Sequence, residues 1–267
     1  MRQTWLTVDC DDFRHIPKHQ GHPTRSKTPI NSTRLSDEFR LGMKSFDNWL
    51  KSHEKPVTLF VIADSLNEPE FSSWLSDLIA KFGQRVTIGC HGLTHKSWSA
   101  WPKNPELFSQ SMTQAIAEIS LHAKDNFRPW FRAPAGYMAP WMVKSLVDCG
   151  VTVDSSVNDS ILTTSKVGRG NTWRQVKDAC REFNLLQREW LTKWRLPVNG
   201  PALSLFPLSI IARRAWKQLP PLLESEELTR VIEDKSEEIT TVYWHILDHA
   251  RQRGKWRPPL SESLLNH

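Results

Sequence analysis

The chain has 267 residues, 39% hydrophobic and 24% charged, the balance of an ordinary globular protein with apolar material for a sizeable core. No run approaches the roughly 18 apolar residues of a membrane span. Four scattered cysteines without CxxC spacing exclude a disulfide framework, and a net charge of +6 is spread over clusters too short for a dedicated nucleic-acid stripe.

The first strand-like run, residues 5–8, starts so early that it leaves no room for a cleavable secretion signal, so the expected location is the cytoplasm. It ends in Asp9, Asp11 and Asp12, packed around Cys10. Like charges that close repel and raise one another's pKa, so a cation or a proton-transfer task is expected to compensate them. Residues two apart in a strand share a side, so Asp9 and Asp11 face one cavity while Cys10 turns away. The following HIPKHQGH adds His15, His19 and His22, which read as a substrate-side loop and not as a second metal site.

Leu35, Phe39, Met43, Phe46 and Leu50 have the spacing of one helix face, with Ser32 or Ser36 available as cap. A strand over 57–63 precedes a helix over 70–82 that Gly83 stops. A third strand, 85–90, leads into IGCHGLTHKSW, where His91 and His95 stand four apart. On a helical turn they would share a face and could grip one divalent cation. A helix over 106–123 is predicted to bury Leu107, Met112, Ile116 and Ile119.

The strand 130–132 opens WFRAPAGYM, whose proline and glycine flank a sharp turn able to aim a backbone N–H into the cavity, with Arg132 placed to pair with an aspartate. A helix over 140–149 ends at Gly150, and a short strand, 151–154, follows. Residues 158–239 are less regular, with a charged helix candidate over 225–238, and read as a lid or embellishment of one domain spanning 1–267. The last strand, 240–245, ends in His245. Thirteen tryptophans are many, and Trp98, Trp101, Trp130, Trp141 and Trp244 stand beside these motifs, where flat rings would suit sugars. Cys10 and Cys90 abut the motifs too, with burial in strands the favoured reading.

Strands alternating with helices imply a parallel sheet, open or closed into a barrel, with its chemistry at the carboxyl ends of the strands. The ordered set Asp-x-Asp, His-x-x-x-His, Arg-x-Pro-x-Gly-Tyr, an Asp after the next strand, and a late strand ending in His resembles the polysaccharide deacetylase family, the NodB-homology or carbohydrate esterase family 4 group. The resemblance runs from about residue 6 to 246. It implies an α/β fold, a distorted (β/α) barrel of about seven parallel strands, and hydrolysis of an N-acetyl or related N-acyl group on an amino sugar or glycan precursor. It implies one divalent cation, Zn2+ first with Co2+ or Ni2+ as alternatives, on Asp11, His91 and His95. Asp9 resembles the catalytic base, Arg132 its partner, the Tyr137 N–H an oxyanion donor, His245 the general acid, and Asp154 the acidic residue of the fourth motif. Asp12 replaces Asp11 if the register is Asp-Asp.

This sequence departs from the family pattern at Phe13, where a glycine is usual, at Gly92 between the histidines, and at Tyr243, where a leucine normally lines the acyl pocket. The alternatives are a deformylase acting on a lipid-linked amino sugar, another amide hydrolase of the superfamily such as a cyclic amidohydrolase, and a carbohydrate-binding relative without turnover.

Overall fold

The computed structural model describes residues 2–15, 22–24 and 34–266. Strands β1 (Gln3–Asp9), β2 (Val57–Val61), β3 (Val86–Cys90), β4 (Phe127–Phe131), β5 (Val153–Asp154) and β6 (Leu186–Gln187) are followed by a small antiparallel hairpin, β7 (Thr192–Lys193) with β8 (Leu196–Pro197), and then by β9 (Ile239–His245). All but the hairpin form one seven-stranded sheet in the order β6-β5-β4-β3-β2-β1-β9, parallel throughout.

Alternation along β1 decides what faces what. Leu6, Val8 and Cys10 join the large core under the helices, whereas Trp5 joins a second cluster with Phe60, Trp130 and Val153. The rings of Trp5 and Trp130 lie 5.3 Å apart, centroid to centroid, although β1 and β4 are separated by two strands. They meet only because the sheet curls with this face inward. Trp190, just beyond β6, bridges Thr241 of β9, and the Leu191 N–H donates to the Thr241 carbonyl at 2.8 Å, so one link joins the two edges of the curled barrel.

Helices α1 (Asp37–Leu50), α2 (Pro69–Phe82), α3 (Pro105–Ala123), α4 (Pro140–Asp148) and α5 (Trp173–Glu182) follow in chain order, with α6 (Leu208–Trp216) and α7 (Leu228–Glu233) after the hairpin. Ser36 caps α1, its Oγ accepting the Phe39 N–H at 3.0 Å, and Gly83 ends α2 at φ 54°. The other suggested cap, Ser32, lies outside the described residues. Inward-facing Phe39, Met43, Phe46 and Trp49 of α1 each contribute about 1.5–3 kcal/mol through burial. α7 brings Leu228, Val231 and Ile232 into the inner cluster, and its Glu233 accepts the Trp130 indole N–H at 2.9 Å.

Three expectations are corrected. α3, capped by Asn104, buries Phe108, Met112, Ala115, Ile119 and Ala123, leaving Leu107 exposed and Ile116 half-buried. The charged stretch 225–238 is helical only over α7. The segment 158–239 is no appendage to the barrel, since it supplies β6, the closing bridge and one wall of the cavity described next. Among the described residues no helix is long and apolar enough to cross a membrane.

Candidate active site

Four strand ends converge. Asp9 closes β1, His91 follows β3, Arg132 follows β4, and His245 closes β9 directly opposite Asp9 in the parallel register. Asp9, Asp11, His91, His95 and His245 line a cavity of about 640 Å³, within the range of small-molecule sites.

The helical turn on which His91 and His95 would share a face does not form. The segment is irregular, with Gly92 at φ 87° and His95 itself at φ 54°. Their rings nevertheless stand 4.9 Å apart. His91 Nδ1 faces the Arg132 carbonyl at 2.8 Å and His95 Nδ1 the His15 carbonyl at 2.5 Å. A carbonyl only accepts, so each Nδ1 carries the proton and each Nε2 keeps a lone pair.

Both Nε2 atoms point at Asp11, 3.9 Å from Oδ1 for His91 and 4.0 Å from Oδ2 for His95. Those gaps are too long for hydrogen bonds, and Asp11 Oδ1 and His95 Nε2 are buried without a hydrogen-bond partner among the described residues. One ligand atom from each of Asp11, His91 and His95 fits within 4.8 Å of the others. Unpartnered buried acceptors, two neutral imidazoles and one carboxylate are a donor set that fits a divalent cation such as zinc. Burial pushes the pKa of His95 down to about 3 and that of His91 down as well, which keeps both imidazoles neutral.

Asp9, Asp11 and His245 form a second close trio, of opposite protonation chemistry. Burial disfavours the charge on His245, but Asp11 and then Asp248 outweigh it and raise its pKa to about 9. An imidazole that holds its proton is a donor and not a ligand. Its Nδ1 is 3.3 Å from Asp248 Oδ2, which leaves Nε2 directed at the cavity, 3.9 Å from Asp11. Asp11 is pulled the other way: burial would raise its pKa, and the neighbouring histidines, His245 foremost, lower it.

Arg132 is fully buried and spends four hydrogen bonds on position: Nη1 to Asp9 Oδ1 at 2.7 Å, Nη2 to Thr7 Oγ1 and Ser155 Oγ, and Nε to the Ser155 carbonyl. Phe60 lies under the guanidinium at 4.2 Å. Asp12 accepts from the Ser36 N–H at 2.7 Å, the Ser36 hydroxyl at 2.5 Å and the Phe13 N–H at 2.6 Å, so its carboxylate is committed to the entrance of α1.

Two assignments fall differently. The Tyr137 N–H donates to the Pro134 carbonyl at 3.1 Å, and Tyr137 does not line the cavity. Ala135 does, at φ 50°, a strained conformation for a residue with a Cβ. Asp154 is buried away from the cavity, where burial raises its pKa to about 6 against the hydrogen bonds from Ser156. Its Oδ1 holds the Ser156 hydroxyl at 2.5 Å, and that hydroxyl oxygen accepts the Ala133 N–H at 2.8 Å. Asp154 therefore braces the turn after β4 at one remove from the reacting groups.

Of the motif tryptophans none is among the described residues lining the cavity, and Trp130 and Trp244 are core; the aromatic lining is Phe13, Trp190 and Tyr243, the rings of the last two 4.3 Å apart. Gly200 at φ 51° allows this, since a Cβ there would stand 2.6 Å from the Tyr243 ring. Cys10 and Cys90 are buried core thiols. His15 sits behind His95 with its Nδ1 accepting the Asp12 N–H, His22 lies against the Tyr137 ring, and His19 is outside the described residues. Sequence reasoning missed Asp248, whose three-residue spacing from His245 was a usable signal for an orienting carboxylate. It also missed Asn158, whose Oδ1 is buried on the cavity wall without a hydrogen-bond partner among the described residues, and no local pattern marks it.

Residues 41–153 match the family model described as polysaccharide deacetylase. A search of curated proteins finds no match. Solved structures share the fold. A provisionally named polysaccharide deacetylase from Mycobacterium smegmatis aligns with a TM-score of 0.55 at 15% identity, covering 95% of this chain and 79% of that one. Another so named, from Pseudomonas aeruginosa PAO1, gives 0.55 at 10% identity over 95% and 81%. A Puue allantoinase gives 0.55 at 10% identity over 95% and 80%.

Proposed function

We propose that this chain is a polysaccharide deacetylase-like, metal-dependent amide hydrolase, a reading supported by the family model that matches residues 41–153, and that it removes a short N-acyl group from an amino sugar or glycan precursor. The segment 158–239 belongs to the same catalytic domain. The observation that carries the reading is the set of unpartnered acceptors on Asp11 and His95, beside His91, at the floor of a cavity that also presents an anchored carboxylate and a protonated histidine.

Asp11, His91 and His95 would hold the cation. When bound, it supplies Lewis acidity, lowering the pKa of a water toward about 7 and drawing charge from the amide carbonyl. Asp9, fixed by Arg132, takes the proton of the attacking water. His245, turned by Asp248 so that Nε2 faces the cavity, gives its proton to the departing nitrogen, and the products are a free amine and a carboxylate. The strained turn at Ala135 is the candidate for the backbone group nearest the developing oxyanion. Asn158 Oδ1 offers an acceptor for a sugar hydroxyl. Tyr243, 5.6 Å from the His245 ring and packed against Trp190, narrows the cavity beside the general acid and favours formyl or acetyl over longer acyl groups.

The cyclic-amide and binding-only alternatives are disfavoured by the same donor set and by the complete acid–base pair. Purified protein is expected to hold one equivalent of divalent metal, to lose amide hydrolysis on chelation, and to regain it with Zn2+, Co2+ or Ni2+. Asp9→Asn should keep the metal and lose about 10²- to 10⁴-fold in kcat. Hydrolysis indifferent to chelators and to His91→Ala would reject the mechanism.

A further inference from the structure

The cavity has two halves of opposite character. Its floor is the charged set, whereas its outer wall is Leu162, Pro197, Ala202, Leu205 and Leu208. Large apolar side chains continue past that wall into solvent. Phe206 is 82% exposed, Trp194 is 73% exposed at the β7–β8 tip, and Ile161, Leu162, Leu205 and Ile210 are exposed as well. The Ile161 N–H donates to the Arg195 carbonyl at 3.0 Å, so the 161–162 turn and the hairpin tip form one edge of the mouth. At the other edge, α6 buries Ala212, Ala215 and Trp216 and turns Ile210, Arg213 and Arg214 outward, with exposed Lys217 on the same side.

Charge follows the same segment. From residue 190 to 223 the chain carries Lys193, Arg195, Arg213, Arg214 and Lys217 and no Asp or Glu, against 29 acidic residues in the whole sequence. Arg195 lies 3.9 Å from Asp159, while Arg213, Arg214 and Lys217 have no carboxylate partner among the described residues. Scattered exposed apolar residues are ordinary, but several large ones on the segments that frame the mouth of a reactive cavity, accompanied by cations without a carboxylate partner among the described residues, have the composition of a surface that enters the headgroup layer of an anionic membrane.

We propose that this rim docks the protein on an anionic lipid bilayer, and that the N-acylated sugar reaches the floor as the headgroup of a membrane-borne lipid whose chain runs along the apolar wall. The substrate part rests on the deacylase reading; the docking part does not.

The test is flotation with vesicles of phosphatidylcholine alone and of phosphatidylcholine mixed with phosphatidylglycerol, at low and high salt. Binding to the anionic vesicles is expected, weakened at least about tenfold by Arg213→Glu with Arg214→Glu and by a similar factor by Trp194→Ser with Phe206→Ser. All four side chains are exposed, and unchanged melting temperatures verify that the variants fold. Absence of binding to anionic vesicles, or binding that both double variants leave intact, overturns the proposal. So does self-association abolished by the Trp194 and Phe206 changes without vesicle binding, which would assign the rim to a second copy of the chain. Asp9→Asn and chelated protein should dock as the native protein does, so a failed deacylase reading leaves docking standing. Equal hydrolysis of an N-acetylated sugar carried on a lipid phosphate in vesicles and of the same sugar free in water overturns the substrate part, against an expected preference of at least about tenfold for the vesicle-borne form.

Discussion

The floor and the outer wall of the cavity are built in opposite ways. The floor takes its residues from the ends of β1, β3, β4 and β9, each held by a ladder of parallel pairs, and its charges are buried and braced. The wall comes from the segment after β5, where the elements are two-residue strands and short helices and the side chains facing the cavity are mostly apolar, with Asn158, Thr163, Lys166 and Asn199 among them. Proton transfer needs groups fixed to a fraction of an ångström, which continuous strands supply. Accommodating the rest of a substrate needs shape and solvent access, which loops supply.

The sharpest way to break this division uses two buried arginines. Arg132, on the floor, ties Asp9, Thr7 and Ser155 together. Arg188, just beyond β6, donates among the described residues only to carbonyls, those of Val231, Ile232, Asp234 and Glu237, and so holds the carboxyl end of α7. Arg132→Met leaves Asp9 buried and unpaired and is expected to cost about 3–5 kcal/mol of stability and to abolish turnover. Arg188→Met, which orphans carbonyls that α7 cannot pair itself, should cost about 2–4 kcal/mol while the folded fraction keeps its kcat. Denaturant melts with rates measured per folded molecule separate the two. Loss of kcat in folded Arg188→Met protein would mean that the floor depends on the far side of the barrel.

The same division explains what was legible beforehand. The strands of the floor are unbroken apolar runs ending in charge, and α1 and α2 repeat at the helical period, so Asp9, Asp11, His91, His95, Arg132 and His245 could be placed at converging strand ends from residue order alone. The conformation of the 91–95 loop could not, because it is held by carbonyls of Arg132 and His15, far away in sequence. β5 and β6 are two residues each, too short to carry a period. α5 went unread because Trp173, Val176, Ala179 and Cys180 form its only apolar stripe in a strongly charged stretch. The turn after β4 was legible as a turn, but the strain at Ala135 was not, since it is a property of backbone angles and leaves no mark on composition.

A smaller effect tests whether buried histidines away from the floor behave as the floor's do. His249, packed among Phe46, Trp49 and Trp256, accepts the Trp244 indole N–H at 2.9 Å. Burial, and then the charge of Arg257, lower its pKa to about 3. The unfolded chain takes up a proton near pH 6.5 and the folded one does not until about 3, so stability falls as the pH drops through that window. Between pH 7 and pH 5 the native protein should lose about 2 kcal/mol more than His249→Gln, whose amide oxygen can still accept the indole N–H. Equal losses would mean that His249 is not held neutral by its surroundings.

The finest division is between neighbours. Asp11 and Asp12 are adjacent carboxylates, yet Asp11 Oδ1 has no hydrogen-bond partner among the described residues and Asp12 accepts three bonds at the entrance of α1. Asp12→Asn exchanges one acceptor oxygen for an amide that cannot accept, so a cap-sized loss of about 1 kcal/mol is expected with metal content unchanged. Asp11→Asn removes a ligand from the floor and the carboxylate that does most to hold the proton on His245, so metal should be lost and the melting temperature should fall. Metal analysis and thermal melts of the two variants decide the register. If Asp12→Asn were the one to empty the site, the curl that brings Asp11 to the imidazoles would have to be redrawn by one residue, and with a period of two that shift would turn Asp9 out of the cavity as well.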